Sequence, residues 1–119
     1  MTVLVIDDDT SLLLMLSLYL KRAGLQAAIA SDSHQALQLL AKRRFEWMII
    51  DGEIFPLNGF ELAAKARQHD PNIRIAMLSG IYKDSDILGH PIEKLFQKPL
   101  DMNALIGYLQ MPPLPAFTS

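Results

Sequence analysis

The stretch VLVIDDD, residues 3–9, joins four apolar residues to three adjacent aspartates. A second apolar run, WMIID at residues 47–51, also ends in an aspartate. Short apolar runs of this kind are typical of buried strands. Adjacent carboxylates repel one another, so the three aspartates need solvent, a helix N-terminus or a bound cation to offset their charge. Where the other strands place their ends decides whether solvent, a helix N-terminus or a cation offsets this charge.

Strand-like and helix-like segments alternate along the chain. Continuous apolar strands separated by helices are typical of a parallel sheet that is covered on both faces. We therefore predict a doubly wound α/β fold of five βα units, with Thr10 or Ser11 as N-cap of the first helix. The predicted strands cover residues 3–7, 26–30, 47–51, 73–79 and 95–97, and the predicted helices cover residues 11–23, 31–44, 59–68, 84–88 and 101–109.

Composition excludes several classes of protein. The 119 residues form one domain, with half of them apolar and a net charge of −2, and no basic cluster indicates binding to DNA or RNA. There is no cysteine, which excludes disulfides and thiolate metal sites. The longest apolar stretch, residues 12–20, is shorter than the roughly 20 residues that span a bilayer. It also lacks the basic start of a secretory signal. We expect a cytoplasmic protein.

Polar residues follow the predicted strands at the points where those strands end. In a doubly wound parallel sheet these ends meet at one edge, where ligands bind. Each residue alone is typical of a turn, a helix cap or a solvated charge. Together they suit phosphoryl transfer, with carboxylates for Mg²⁺ or as nucleophile, and a lysine and a hydroxyl for the phosphoryl oxygens. The residues are Asp7, Asp8, Asp51, Ser79 and Lys98.

Five motifs, in order, resemble the receiver domains of two-component response regulators, the CheY-like superfamily. They are VLVIDDD, WMIID, FPLNGFEL, IAMLSG and QKPL. The resemblance covers nearly the whole chain and implies a flavodoxin-like (βα)5 fold with a parallel sheet of order 2-1-3-4-5. It makes residues 1–110 the receiver domain. Residues 111–119, MPPLPAFTS, are predicted to form a proline-rich tail or linker.

The resemblance also implies a magnesium site. Asp51 accepts the phosphoryl group and, with Asp8, ligates Mg²⁺. The backbone carbonyl of Glu53 is a third ligand, and Asp7 acts through the water shell of the ion. Asp9 receives no metal role, so we expect it to stabilise the start of the first helix.

The same resemblance assigns the phosphoryl contacts. Ser79 and the backbone amide of Gly80 would bind the phosphoryl oxygens, and Lys98 would pair with them. The phosphodonor would be a histidine kinase or a histidine phosphotransfer protein. The chain would be a signalling domain that catalyses only its own phosphorylation and dephosphorylation, and not an enzyme acting on other substrates.

The loop after Asp51 departs from the family pattern at Glu53 and Pro56, and two further features between Ser79 and Lys98 depart from it as well. The position three places before Lys98 is usually Tyr or Phe and is Leu95 here, and the neighbouring Phe96 is predicted to point to the opposite face of the sheet. The stretch between Ser79 and Lys98 is shorter than usual. We therefore predict a short or irregular fourth helix and an altered switching mechanism.

The first predicted helix is unusually rich in leucine. Its core face is predicted to hold Leu12, Met15, Leu16, Tyr19 and Leu20. The remaining leucines would be exposed as a contact surface, either for a homodimer or for the helical bundle of a phosphodonor. They are Leu13, Leu14 and Leu18.

Two other functions stay open at this point. A pseudo-receiver would bind partners without being phosphorylated, which Leu95 and the short fourth helix favour. A phosphatase of the haloacid dehalogenase type is suggested by Asp7-x-Asp9-x-Ser11, with Asp7 as nucleophile. The short chain argues against the phosphatase, as does Asp51, which that hypothesis leaves without a role.

Overall fold

Strands and helices alternate along the chain as the sequence predicts. The computed structural model describes residues 1–113. The strands are β1 (Thr2–Ile6), β2 (Gln26–Ala30), β3 (Trp47–Asp51), β4 (Arg74–Ser79) and β5 (Lys94–Gln97). The helices are α1 (Thr10–Arg22), α2 (Ser33–Lys42), α3 (Gly59–His69) and α4 (Met102–Leu109), with a 3-10 helix at Asp84–Ile87.

The five strands form one parallel sheet of order β2-β1-β3-β4-β5. The predicted doubly wound fold and its strand order are confirmed. Strand β1 pairs with β2 on one side and with β3 on the other, and Ile6 lies opposite Ile50. The order of the strands reverses at β1 and β3, so the residues that follow these two strands meet at the point where such sheets bind ligands.

Both faces of the sheet are covered. Successive side chains of a strand point to opposite faces. In β3, Met48 and Ile50 pack on the side of α2 and α3, whereas Trp47 and Ile49 pack on the side of α1 and α4. Every residue of β3 is buried, which explains why this strand reads as a continuous apolar run.

The predicted core face of α1 is confirmed at Leu16 and Leu20 but is wrong at Met15 and Tyr19. Leu13 is only 3% exposed and packs in the core with Leu16 and Leu20, whereas Met15 and Tyr19 are exposed. Leu13, Leu16 and Leu20 occupy the positions i, i+3 and i+7 and face the core. The buried face is therefore rotated about the helix axis relative to the face that the sequence predicted. The exposed apolar residues of α1 are Leu14, Met15, Leu18 and Tyr19, which we call the α1 surface.

The N-cap of α1 also differs from the prediction. Asp9, and not Thr10 or Ser11, caps the helix, and its carboxylate accepts a hydrogen bond from the Leu12 amide at 3.1 Å. This confirms the expectation that Asp9 stabilises the helix start. Gly24 follows the helix with a φ of 82°, a left-handed conformation that favours glycine.

The connection between β4 and β5 holds no α-helix. Its regular structure is the four-residue 3-10 helix, as predicted for a short fourth helix. Of the predicted tail, residues 114–119 lie outside the described residues. Met111 is described, and its carbonyl accepts a hydrogen bond from the Arg74 guanidinium. Within residues 1–113, no helix is long and apolar enough to cross a membrane.

We predict that Gly59→Ala destabilises the protein. A Cβ at this position would lie 2.8 Å from Gly52 Cα, 2.8 Å from Met77 Cε and 2.9 Å from the Asp51 carbonyl oxygen. Overpacking of this kind costs about 1–3 kcal/mol, although alanine favours a helix over glycine. Urea unfolding measures the change. Gly80→Ala is the control, because no atom lies within 4 Å of its added Cβ. A Gly59→Ala variant as stable as the wild type would contradict this packing.

Candidate functional site

The acidic residues predicted from the sequence meet at the carboxyl edge of the sheet. Asp7 and Asp8 follow β1, and Asp51 ends the neighbouring strand β3. One carboxylate oxygen from each of the three lies within 4.8 Å of the other two. Asp7 is 0% exposed and Asp51 is 4% exposed, whereas Asp8 faces solvent. Two buried carboxylates therefore stand beside one that solvent can reach.

Lys98 provides the positive charge of this cluster. It follows β5, where its backbone amide donates to the Ser79 carbonyl at 2.9 Å. Its ammonium Nζ lies 2.9 Å from Asp7 Oδ2 and 3.7 Å from Asp51 Oδ1. One lysine thus faces both buried carboxylates, and its side chain is bonded directly to Asp7.

Backbone amides hold both buried carboxylates in place. The Asp9 amide donates to Asp7 Oδ1 at 3.0 Å, and the Glu53 amide donates to Asp51 Oδ1 at 3.2 Å. Each bond spans two residues, as in an Asx turn. The turns that follow β1 and β3 therefore orient the two carboxylates, and both oxygens of Asp7 are used within the chain.

Burial makes the ionised form of Asp51 unfavourable. It raises the pKa of the Asp51 carboxyl above its ordinary value, and the charge of Asp7 raises this pKa further. The Glu53 amide and Lys98 oppose the shift without cancelling it. Burial alone would lower the pKa of Lys98, but the hydrogen bond and charge of Asp7 outweigh it, so the pKa of Lys98 lies above its ordinary value.

Ser79 is fully buried at the end of β4, one strand away from Asp51. Its Oγ accepts hydrogen bonds from the amides of Ile81 and Tyr82, at 3.0 and 2.9 Å. Gly80 follows, exposed and without atoms in the space where a Cβ would lie. The structure thus brings Ser79 and Lys98 together at the edge that also holds the aspartates.

The residues present fit a hard divalent cation such as Mg²⁺. Carboxylate oxygens are the ligands that Mg²⁺ prefers, and it usually keeps several waters. The three carboxylates carry more negative charge than Lys98 offsets, and exposed Asp8 leaves the cluster open to solvent. Glu53 lies in the loop after β3, where its amide contacts Asp51. The ligand role of its carbonyl stays a prediction.

The predicted departure at the end of β5 is confirmed. Leu95 is buried in the core on the side of α2 and α3. Phe96 lies on the opposite face, where its ring centroid is 5.7 Å from that of Tyr108. Neither residue places an aromatic ring beside Ser79.

Tyr82 lies beside the site at a position that the sequence did not predict. Its ring lies against Gly52, the residue directly after Asp51, and against Phe60 of α3. An aromatic residue three places after Ser79 was the available signal. It could not be interpreted before the loops that follow β3 and β4 were known to touch.

The arrangement does not favour the phosphatase hypothesis. That chemistry needs Asp9 as an acid/base, but the Asp9 carboxylate caps α1. It also needs Asp7 as a nucleophile, but both Asp7 oxygens are bonded to Lys98 and to the Asp9 amide. The buried Asp51, which this hypothesis leaves without a role, belongs to the same cluster.

Comparison with known proteins agrees with this geometry. A model of the response regulator receiver domain family matches residues 3–110. Over 107 residues the chain is 25% identical to sporulation initiation phosphotransferase F from Bacillus subtilis, a match that covers 87% of this chain and 86% of the relative.

Other matches include larger proteins. The chain is 24% identical to the autoinducer 1 sensor kinase/phosphatase LuxN from Vibrio campbellii, with 87% of the chain matched to 12% of that protein. It therefore spans about an eighth of this relative. A crystal structure of a response regulator protein from Burkholderia pseudomallei, with a phosphorylated aspartic acid, calcium ion and citrate, superposes with a TM-score of 0.81 at 25% identity. The match covers 92% of this chain and 66% of that one.

We predict that Asp51→Asn stabilises the fold when divalent cations are absent. The pKa of Asp51 is raised in the folded state, so ionisation costs stability once the pH exceeds the unfolded value of about 3.9. The variant removes this cost, and we expect its free energy of unfolding at pH 7 to be greater by about 1 kcal/mol.

Urea unfolding from about pH 8 down to about pH 3 checks this prediction. The difference between variant and wild type should shrink as the pH falls through the raised pKa of Asp51, and it should disappear below the unfolded value of about 3.9, where both states hold the proton. Asp84→Asn, a change at an exposed carboxylate, should leave the stability unchanged across the range. A gain that does not depend on pH would contradict the electrostatic origin.

Proposed function

Because the chain belongs to the response regulator receiver domain family, we propose that it is a phosphoacceptor of two-component signalling and that Asp51 takes the phosphoryl group. The observation that carries the proposal is that Asp51 lies beside the carboxylates of Asp7 and Asp8, with the Lys98 Nζ 3.7 Å from its Oδ1. Asp51 ends β3, at the point where the strand order reverses. The family match leaves no support for the phosphatase.

In the proposed reaction a carboxylate oxygen of Asp51 attacks the phosphorus of a phosphohistidine. A P–O bond forms, the P–N bond breaks, and its electron pair returns to the imidazole nitrogen of the donor. Lys98 lies within reach of the new phosphoryl group, since its Nζ is 3.7 Å from Asp51 Oδ1. The Ser79 hydroxyl and the Gly80 amide would donate to the phosphoryl oxygens.

Asp8, Asp51 and the Glu53 carbonyl would hold Mg²⁺, with Asp7 acting through water. The bound ion supplies positive charge that offsets the carboxylates and the incoming phosphoryl oxygens. The bonds of Asp7 to Lys98 and to the Asp9 amide support an indirect role for Asp7, because both of its oxygens already have partners. Exposed Asp8 is the carboxylate that can bind an ion without losing a partner within the cluster.

We propose a histidine kinase or a histidine phosphotransfer protein as the phosphodonor. Two relatives support this class of partner, since one is named a phosphotransferase and the other a sensor kinase. The Burkholderia pseudomallei structure supports the chemistry, since it holds a phosphorylated aspartic acid and a calcium ion. The chain would act on no other substrate. The cytoplasmic location and the division at residue 110 stay predictions.

The α1 surface is the proposed contact with the phosphodonor. Leu14 is 66% exposed and Leu18 is 49% exposed, one helical turn apart. Leu13 does not belong to this surface, since it is buried. Helix α1 starts at the cap Asp9, directly after Asp8, so a partner bound along it would reach the site. A homodimer through the same surface is the alternative.

Labelling with a small phosphodonor tests the proposed function. We expect acetyl phosphate with Mg²⁺ to add one phosphoryl group to the wild type, which intact mass spectrometry detects. Asp51→Asn should abolish the adduct, because it removes the nucleophilic oxygen. Asp84→Asn is the matched control and should keep it.

Three other outcomes would contradict the proposal. An adduct that persists in Asp51→Asn would move the nucleophile elsewhere. An adduct that vanishes in Asp7→Asn but persists in Asp51→Asn would restore the phosphatase hypothesis. The absence of any adduct, together with a failure to bind fluoroberyllate, would make the chain a pseudo-receiver.

The double variant Leu14→Ser, Leu18→Ser tests the α1 surface. We expect phosphoryl transfer from the cognate histidine phosphotransfer protein to slow by about tenfold or more, because buried leucines at an interface contribute roughly 1–2 kcal/mol each. Labelling by acetyl phosphate should not change. Met111→Ser removes an exposed apolar side chain from another part of the surface and is the control.

Sedimentation equilibrium separates the alternative. A wild type that is a dimer and a double variant that is a monomer would support the homodimer instead. Equal transfer rates for the double variant and the wild type would exclude the α1 surface as the donor contact.

A further inference from the structure

An aromatic side chain other than the one expected touches the candidate site. Tyr82 lies three residues after Ser79, in the segment between β4 and β5. A Cβ built on Gly52 would lie 2.9 Å from Cδ2 and 3.1 Å from Cε2 of the Tyr82 ring. The ring therefore packs against the backbone directly after Asp51, and it can do so only because residue 52 has no side chain.

The backbone of Tyr82 is tied to the site as well. Its amide and that of Ile81 both donate to Ser79 Oγ. A hydroxyl has two acceptor lone pairs and one donor proton. The two amides use the lone pairs, so the proton of Ser79 remains available for donation to another oxygen. One hydroxyl can therefore bind an oxygen at the site while it holds the first turn of the segment.

Aromatic contacts extend from Tyr82 to the far end of the same segment. The Tyr82 ring meets Phe60 edge to face, with centroids 5.0 Å apart and planes at 87°. The Phe60 ring lies 4.6 Å from that of His90. Pairs of aromatic rings favour such tilted arrangements. Phe60 thus links residue 82 near the start of the segment to residue 90 near its end.

The segment itself, residues 80–93, is held by few buried groups. Most of its side chains are exposed, and Ile92 is its buried residue. Segments with little buried apolar contact open more readily than the core. A change in how the Tyr82 ring packs against Gly52 can therefore alter the conformation of this segment without disturbing the sheet.

We propose that Tyr82 couples the state of Asp51 to the conformation of residues 80–93, in place of the aromatic residue that the family carries at position 95. The inference rests on the proposed function, because it needs a phosphoryl group on Asp51. When Ser79 turns its hydroxyl towards that group, the amides of Ile81 and Tyr82 move with their acceptor. The Tyr82 ring then shifts on Gly52, and its contact with Phe60 passes the change along the segment.

Tyr82 is in this view a positioning residue. It acts through Ser79 and does not touch the phosphoryl group. Leu95 cannot take this role, since it is an aliphatic side chain fixed in the core. The ring of Tyr82 is half-buried, so part of it adjoins solvent. Coupling through this residue requires the ring to take two positions, one for each state of Asp51.

Hydrogen exchange with a phosphoryl mimic tests the inference. Exchange of residues 80–93 is compared by mass spectrometry with and without Mg²⁺ and fluoroberyllate. In the wild type we expect the exchange rate of this segment to change by about threefold or more on binding. Tyr82→Ala should lose this response while it still binds fluoroberyllate, and Tyr82→Phe should keep it, because the ring and not the hydroxyl makes the contacts.

Two further variants show whether a lost response is due to the missing Tyr82 ring or to a loss of folding stability. Tyr82→Leu keeps an apolar side chain in the space and should also lose the response, so the test does not depend on the folding of Tyr82→Ala. Tyr108→Ala removes another half-buried tyrosine, which pairs edge to face with Trp47. It should keep the response even if it lowers stability.

Fluorine NMR of bound fluoroberyllate separates failure of the inference from failure of the proposed function. If the wild type binds no fluoroberyllate, the proposed function fails and the inference with it. If all variants bind it and the Tyr82→Ala segment still responds as the wild type does, the inference alone is overturned. A response lost in Tyr108→Ala as well would also overturn it.

Discussion

Electrostatic repulsion at the carboxyl edge of the sheet is the constraint on which the site depends. Asp7 and Asp51 are both buried there, and exposed Asp8 lies beside them. Buried charges are tolerated when they are paired and hydrogen-bonded. Lys98 and two backbone amides stabilise the two buried carboxylates only in part. The pKa of Asp51 is raised because the rest of this charge is not compensated. The site is therefore suited to a cation, which by the proposed function would also offset the charge of an incoming phosphoryl group.

The parallel sheet makes this crowding unavoidable. Strands β1 and β3 are neighbours, so whatever follows them is brought together. The helices on both faces bury the strands and leave their carboxyl edge as the place where polar residues can collect. Gly59 illustrates how tightly this edge is built, since its first-turn position in α3 leaves no room for a methyl group beside the Asp51 carbonyl.

The same edge also connects the site to the surface. Ser79 lies at this edge, and its hydroxyl holds the turn after β4. The Tyr82 ring lies on the residue after Asp51. In the proposed coupling, the short 3-10 connection replaces a regular helix as the responsive element. On the opposite face of the sheet, Arg74 pairs with Glu93 and lies over the Trp47 ring, which ties β3 and β4 to the start of β5.

The sequence by itself determined the fold and the residues of the candidate site. Apolar runs marked the five strands to within a residue or so. The signal is strongest in the central strands β1, β3 and β4, because burial on both faces requires apolar side chains. The polar residues at their ends followed from the topology. Three features depended on tertiary structure: the rotation of α1 that buries Leu13, the choice of Asp9 as its cap, and the packing of the Tyr82 ring against Gly52. Each depends on how an element meets its neighbours. A helix with leucines on several sides has no unique buried face until the sheet selects one, and two loops distant in sequence have no contact until their strands pair.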